Sequence, residues 1–146
     1  MATVLVDSNV LLDILIPDPE WEAWSSAALA EAAETSLLAI NPIIFAEVSV
    51  GFDRIEELEA ALPQELRREA LPWEAAFLAG KAFLAYRRRG GARTTPLPDF
   101  YIGAHAAVRG YTLLTRDARR YRGYFPKLSL IAPAEGAERG GTRAGK

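Results

Sequence analysis

Four acidic side chains in this 146-residue chain stand where a carboxylate can do chemistry. Asp7 directly follows the apolar, β-prone run Val4-Leu5-Val6, which places it at the C-terminal end of a strand and the mouth of the next helix. Asp117 holds the matching place after Leu113-Leu114-Thr115-Arg116, so two aspartates leave two strands at the same edge. Asp99 follows Pro98 in the first turn of a helix, where free N–H groups and the helix dipole favour an ionised carboxylate. Glu47 sits mid-helix in Ile43-Ile44-Phe45-Ala46-Glu47-Val48. Turned inward it needs a cation; turned outward it is a solvated helix residue. Each Asp taken alone also has a purely structural reading, as a helix cap or a charge that offsets the dipole.

Three or four carboxylates meeting in one cleft repel one another and resist ionisation unless a divalent cation joins them. The chain has no Cys and one His, His105, which excludes disulfides, thiolate zinc sites, cysteine nucleophiles and histidine-rich metal sites. An all-oxygen donor set favours Mg²⁺ or Mn²⁺ over Zn²⁺. Such an ion lowers the pKa of a bound water, orients a phosphate and offsets charge on a pentacovalent transition state.

The elements that must position these groups alternate short apolar runs with helical patterns. Strands are expected at residues 3–6, 37–40, 111–115 and 128–131, with a weak candidate at 69–71. Helices are expected at 10–16, 20–34, 43–50, 54–62, 72–89 and 98–109, with a short turn at 118–121. Asn41 and Asp53 are candidate N-caps, and Pro42 is suited to a first helical position. Residues 93–97 read as a loop. Residues 133–146, PAEGAERGGTRAGK, have no apolar periodicity and read as a disordered tail. This pattern predicts one three-layer α/β domain over residues 1–132, with a mostly parallel sheet of four or five short strands flanked by helices. Ligands in such sheets collect at the carboxyl ends of the strands. With 50% hydrophobic residues, the chain can bury roughly two thirds of its unfolded surface, enough for a core without staples. No apolar run approaches a membrane span and no basic leader precedes the first strand, so a cytoplasmic protein starting directly with its first strand is expected.

Four segments taken together, VLVDSNVLLD, PIIFAEV, PDFYIGAHA and LLTRDARRYRGYFP, resemble the PIN-domain nucleases, and most nearly the VapC-type toxins of type II toxin–antitoxin pairs. The resemblance runs from about residue 2 to residue 131. It implies that Asp7, Glu47, Asp99 and Asp117 are the catalytic, metal-binding acids: Asp7 and Asp99 as ligands, Asp117 completing the site directly or through water, and Glu47 holding the ion's water or a second ion. Asn9 and Thr115 match the polar positions beside the first and fourth acids and read as donors that orient carboxylates. Ser8 either does likewise or caps the following helix. The activity implied is a Mg²⁺- or Mn²⁺-dependent endoribonuclease, acting as a toxin that a cognate antitoxin neutralises, often as a homodimer. Alternatives are a housekeeping PIN-domain RNA-processing nuclease and a non-catalytic protein-binding PIN module, the latter opposed by the complete acid set.

The charge distribution supplies a substrate-facing rim. Residues 1–80 hold fifteen acids and three bases and residues 81–146 four acids and fourteen bases, so a net charge of −2 conceals −12 and +10. Arg116, Arg119, Arg120 and Arg122 surround Asp117 and are candidates for holding an RNA backbone. Arg87, Arg88, Arg89 and Arg93 either do the same or compensate a helix terminus. Tyr101, Tyr121 and Tyr124 offer stacking surfaces to unpaired bases or fill the edge of the core. His105, six residues beyond Asp99, reads as packing or surface. Trp21 and Trp24 share one helix face, for the core or for capture of the antitoxin.

Overall fold

The computed structural model describes residues 1–90 and 97–134. In chain order these form β1 (Thr3–Val6), α1 (Ser8–Leu15), α2 (Glu22–Thr35), β2 (Leu37–Ile40), α3 (Pro42–Ser49), α4 (Ile55–Ala61), β3 (Leu66–Arg68), α5 (Trp73–Arg88), α6 (Leu97–Arg109), β4 (Thr112–Leu114), α7 (Arg119–Arg122) and β5 (Leu130–Ile131). All five strands pair in parallel, in the order β3-β2-β1-β4-β5. The central strands are covered on both faces and carry no alternating polar pattern.

 Val4–Val6, Leu38, Ala39, Ile40, Leu113 and Leu114 are instead continuous buried runs, as a two-sided parallel sheet requires.

Chain direction in the sheet fixes where a site can form. The connections β1→β2→β3 step one way and β3→β4→β5 step the other. Right-handed crossovers therefore place α1–α4 on one face and α5–α7 on the opposite face. α1 packs on α2 and α3, and α5 on α6. The order reverses between β1 and β4, and a crevice opens beyond the carboxyl ends of strands at such a point. Val6 pairs with Leu114 there, so the next residues, Asp7 and Thr115, emerge side by side.

Local chemistry sets the boundaries. Asn41 caps α3 through its side-chain oxygen, which accepts from Ile44 N at 2.8 Å, and Pro42 fills the first helical position. Asp53 does not cap α4: the helix starts at Ile55 with Arg54 at its boundary and no side-chain cap, while Glu56 and Glu57 offset the dipole in the first turn. The third strand is Leu66–Arg68 rather than 69–71. It is an edge strand that buries only Leu66 against β2, so it tolerates Arg67 and Arg68, and its ladder closes with Glu69 N donating to Ile40 O. The expected loop at 93–97 falls mainly outside the described residues, although Leu97 already belongs to α6; all but the first two residues of the expected tail lie outside as well. Among the described residues no helix is long and apolar enough to cross a membrane.

Candidate functional site

Asp7 is both cap and core of the crevice. It is 3% exposed. Its Oδ1 accepts from Ser8 N at 2.8 Å, and its Oδ2 accepts from Thr115 Oγ1 at 2.8 Å and from Tyr121 OH at 2.9 Å. Ser8 leaves the capping to Asp7 and donates its hydroxyl to Glu47 Oε1 at 2.7 Å, which brings α3 to the same point. Asn9 faces the other way along the rim. Its Nδ2 donates to Asp117 Oδ2 at 3.1 Å and lies 3.3 Å from Thr115 Oγ1, while its Oδ1 takes Arg116 N at 3.4 Å. Thr115 Oγ1 also accepts from Asp117 N at 3.1 Å, fixing the turn that carries the fourth acid.

Asp99 arrives from the first turn of α6 and is 9% exposed. Arg120 spans two acids, with Nη1 3.6 Å from Asp99 Oδ2 and Nη2 3.7 Å from Asp117 Oδ2. All four sequence-predicted acids thus meet in one network, delivered by the end of β1, the middle of α3, the start of α6 and the turn after β4.

The electrostatics are those of an overcrowded acidic site. Burial pushes the Asp99 carboxyl up to about 6; Arg120 opposes the shift, and the charges of Asp7, Glu47 and Asp117 add to it. The first-turn dipole expected to favour its ionised form is therefore outweighed. Burial likewise raises Asp7, against the hydrogen bonds from Thr115, Tyr121 and Ser8 N, and Glu47 adds to the rise. As the side chains stand, no group of three or more acidic or histidine residues among those described is gathered into a ready coordination shell. Their oxygens instead accept from Thr115, Tyr121, Ser8 and Asn9, or face Arg120. The donor chemistry nonetheless fits a hard divalent cation: only oxygens, mutual repulsion, and one half-exposed guanidinium as the cation nearest two of them.

Several side chains serve differently from the sequence reading. Tyr121 offers no face to a base. It is fully buried, and its phenol, held well above its ordinary pKa chiefly by burial, remains a donor to Asp7. Phe125, four residues on and beyond the end of α7, is buried with it, its amide donating to Tyr121 O at 2.8 Å. Tyr101 and Tyr124 are half-buried, and Tyr124 packs edge-on to Phe100 beneath the Arg89 guanidinium. Arg87 and Arg88 lie in the last turn of α5, where they offset its dipole, and Arg93 is outside the described residues. Arg119 and Arg122 are exposed, whereas Arg116 is drawn inward to Asp13. Trp21 and Trp24 form a half-buried edge-to-face pair with centroids 6.2 Å apart.

His105 is completely buried and ties two acid-bearing helices together. Asn41 Oδ1 is taken by the α3 cap, so its Nδ2 donates to His105 Nδ1 at 2.9 Å. The imidazole is thereby neutral with its proton on Nε2, which faces Glu69 Oε1 at 3.5 Å. Burial lowers its pKa in keeping with that state. Beside the acids, a hollow of about 370 Å³ over the ends of β2 and β3 is walled by Ile40, Pro42, Phe45 and Glu69. None of the four acids lines it.

A PIN domain family model matches residues 4–126 of the chain. No curated protein matches it in sequence. Among solved structures, VapBC2 from Rickettsia felis bound to a DNA fragment from its promoter is similar at 18% identity and a TM-score of 0.69, over 89% of this chain and 98% of that one. A toxin–antitoxin complex from Klebsiella pneumoniae is similar at 24% identity and a TM-score of 0.65, over 90% and 98%. DNA-bound VapBC from Salmonella typhimurium gives 18% and 0.68, also over 90% and 98%. At these identities the likeness is one of fold.

Proposed function

Because the chain belongs to the PIN domain family, we propose that it is a Mg²⁺- or Mn²⁺-dependent endoribonuclease and the toxin of a toxin–antitoxin pair. The observation that carries the nuclease reading is the convergence of Asp7, Glu47, Asp99 and Asp117 at the switch point of the sheet, with Asp99 pushed up to about 6 in a setting where the other three acids add to the rise. Asp7, Asp99 and Asp117 would hold the ion, and Glu47 would hold its water or a second ion. When bound, the ion activates water for attack on a phosphodiester and offsets the charge that develops there. The chain's own residues prepare that site. Thr115, Tyr121 and the Ser8 amide fix Asp7, the Ser8 hydroxyl fixes Glu47, and Asn9 fixes Asp117. Arg120 faces the acids, and Arg119 and Arg122, exposed on the same short helix, would hold the RNA backbone. Support for an antitoxin partner comes from the toxin–antitoxin complexes among the similar structures.

Arg119→Glu with Arg122→Glu tests the rim. RNA binding should weaken at least about tenfold, and the slope of log affinity against log salt should fall by about one to two. Unchanged affinity and slope in a filter-binding titration would remove both residues from the interface.

The homodimer has a candidate surface on α5. Trp73, Phe77, Gly80 and Leu84 follow the 4-3-4 spacing of a helix–helix seam, and the three large side chains are 88%, 69% and 40% exposed. Gly80 costs the helix about 1 kcal/mol relative to Ala, yet a Cβ there would meet no atom of the described residues within 4 Å, so close packing among them does not explain it. Antiparallel pairing with a second copy sets Phe77 against Leu84 and Glu74 against Arg87, with the glycines at the crossing. Sedimentation should show Phe77→Glu as a monomer at concentrations where the unmodified chain is dimeric. A monomeric unmodified chain would refute the seam.

A further inference from the structure

Asp13 is a buried carboxylate that the proposed chemistry does not use, 3% exposed on α1. Arg116 grips it with a two-pronged fork, Nε to Oδ2 at 2.8 Å and Nη2 to Oδ1 at 3.1 Å. Ser25 of α2 adds a hydroxyl bond to Oδ2 at 2.8 Å. The Trp21 ring lies under the guanidinium, 5.3 Å from Cζ to centroid. Arg116 is the residue immediately before Asp117, and its own amide donates to Asn9, whose amide group holds Asp117. The acid-bearing turn after β4 is therefore anchored from below by Asp13 and from the side by Asn9.

Resting on the nuclease reading above, we propose that the Asp13–Arg116 fork is a positioning device for Asp117, and that Arg116 acts through that acid rather than on RNA. Three features separate this role from a phosphate contact. Both prongs of the guanidinium are spent on one carboxylate, and a planar fork of this kind matches carboxylate geometry in a way that an amine does not. Its Cζ already sits over the Trp21 ring, 5.3 Å from the centroid. Its counter-ion is almost wholly buried, so swinging Arg116 out to a phosphate would leave Asp13 as an uncompensated buried charge. Partners that orient a metal ligand typically contribute 10- to 100-fold to metal affinity or activity, and the fork fills that role for Asp117 one residue away.

The test compares the unmodified chain with Asp13→Asn and Arg116→Lys, using single-stranded RNA and graded Mn²⁺. Asp13→Asn keeps the size and one acceptor oxygen, so it preserves the fold best. Arg116→Lys keeps the charge but loses the fork. For both, kcat should fall about 10- to 100-fold and the Mn²⁺ concentration for half-maximal activity should rise, while KM for RNA and its salt dependence stay unchanged. A raised KM with a shallower salt dependence in Arg116→Lys would make Arg116 an RNA contact and overturn the proposal. Retention of kcat and Mn²⁺ response in Asp13→Asn would overturn it equally. Absence of metal-dependent cleavage by the unmodified chain would instead refute the nuclease reading, and Mn²⁺ affinity measured by calorimetry on the same variants would still decide whether the fork positions Asp117.

Discussion

Asp99→Asn should abolish metal-dependent cleavage, by at least about a thousandfold, and at the same time make the metal-free protein more stable. Both effects come from one carboxylate. Losing a ligand and its charge removes stabilisation that exists only while the ion and the developing phosphate charge are present. Without the ion, that charge is a cost to the fold, since burial and the neighbouring acids hold the Asp99 carboxyl at about 6 against an ordinary value of 3.8. The difference corresponds to about 3 kcal/mol at most and about 1–2 kcal/mol once solvent screening is allowed for. A rise in Tm of about 3–6 °C follows for a chain of this length. The sign with pH is fixed. The folded form takes up the proton first as pH falls, so the penalty is complete above pH 6, shrinks below it and is gone near pH 4. The advantage of Asp99→Asn, measured by thermal denaturation in EDTA, should therefore fade over that window. With Mn²⁺ the order should invert, because only the unmodified chain gains stability from strong binding. Equal cleavage by the variant would exclude Asp99 from the site; an unchanged Tm in EDTA would exclude the crowding of charge.

Gly103→Ala should be strongly damaging although it replaces a mid-helix glycine by the best helix former. Propensity alone favours the change by about 1 kcal/mol. The site forbids it: a Cβ on Gly103 would stand 2.6 Å from Phe125 Cδ2 and Cε2 and 3.0 Å from Tyr121 Cδ1. These are buried ring atoms, Tyr121 completely so, and cannot swing clear. Overpacking of this sort costs typically 1–3 kcal/mol, and here it must also offset the propensity gain. The strain falls on the ring whose hydroxyl holds Asp7, so activity should drop beyond what the loss of folded protein explains. Urea denaturation and cleavage rate on the same preparation check both parts. A more stable, fully active Gly103→Ala would show that α6 and α7 are not packed this closely.

The sequence made Asp7, Asp117 and the central strands legible for a common physical reason. Apolar runs such as Val4-Leu5-Val6 and Leu113-Leu114 end abruptly in polar residues, and a strand buried on both faces gives an unbroken hydrophobic signal. Asn41-Pro42 marked the start of α3 because cap chemistry is local. What failed was non-local. β3 is an edge strand with one buried residue, so its apolar signal was weaker than that of Ala70-Leu71 beside it. Residue type leaves Tyr121 open between base stacking and the core edge and makes Arg116 a candidate RNA contact, yet both side chains turn inward toward aspartates more than a hundred positions away. His105 reads as packing or surface, and its link to Asn41 across 64 positions leaves no mark in local spacing.

The crevice at the ends of β1 and β4 is expected to cut RNA with the help of a divalent cation. This expectation is tested most directly by incubating the purified chain with an end-labelled single-stranded RNA in Mn²⁺ and, in parallel, in EDTA. Internal cuts that appear in Mn²⁺ and vanish in EDTA are the expected result. RNA left intact in Mn²⁺, or cut equally in EDTA, would contradict the account.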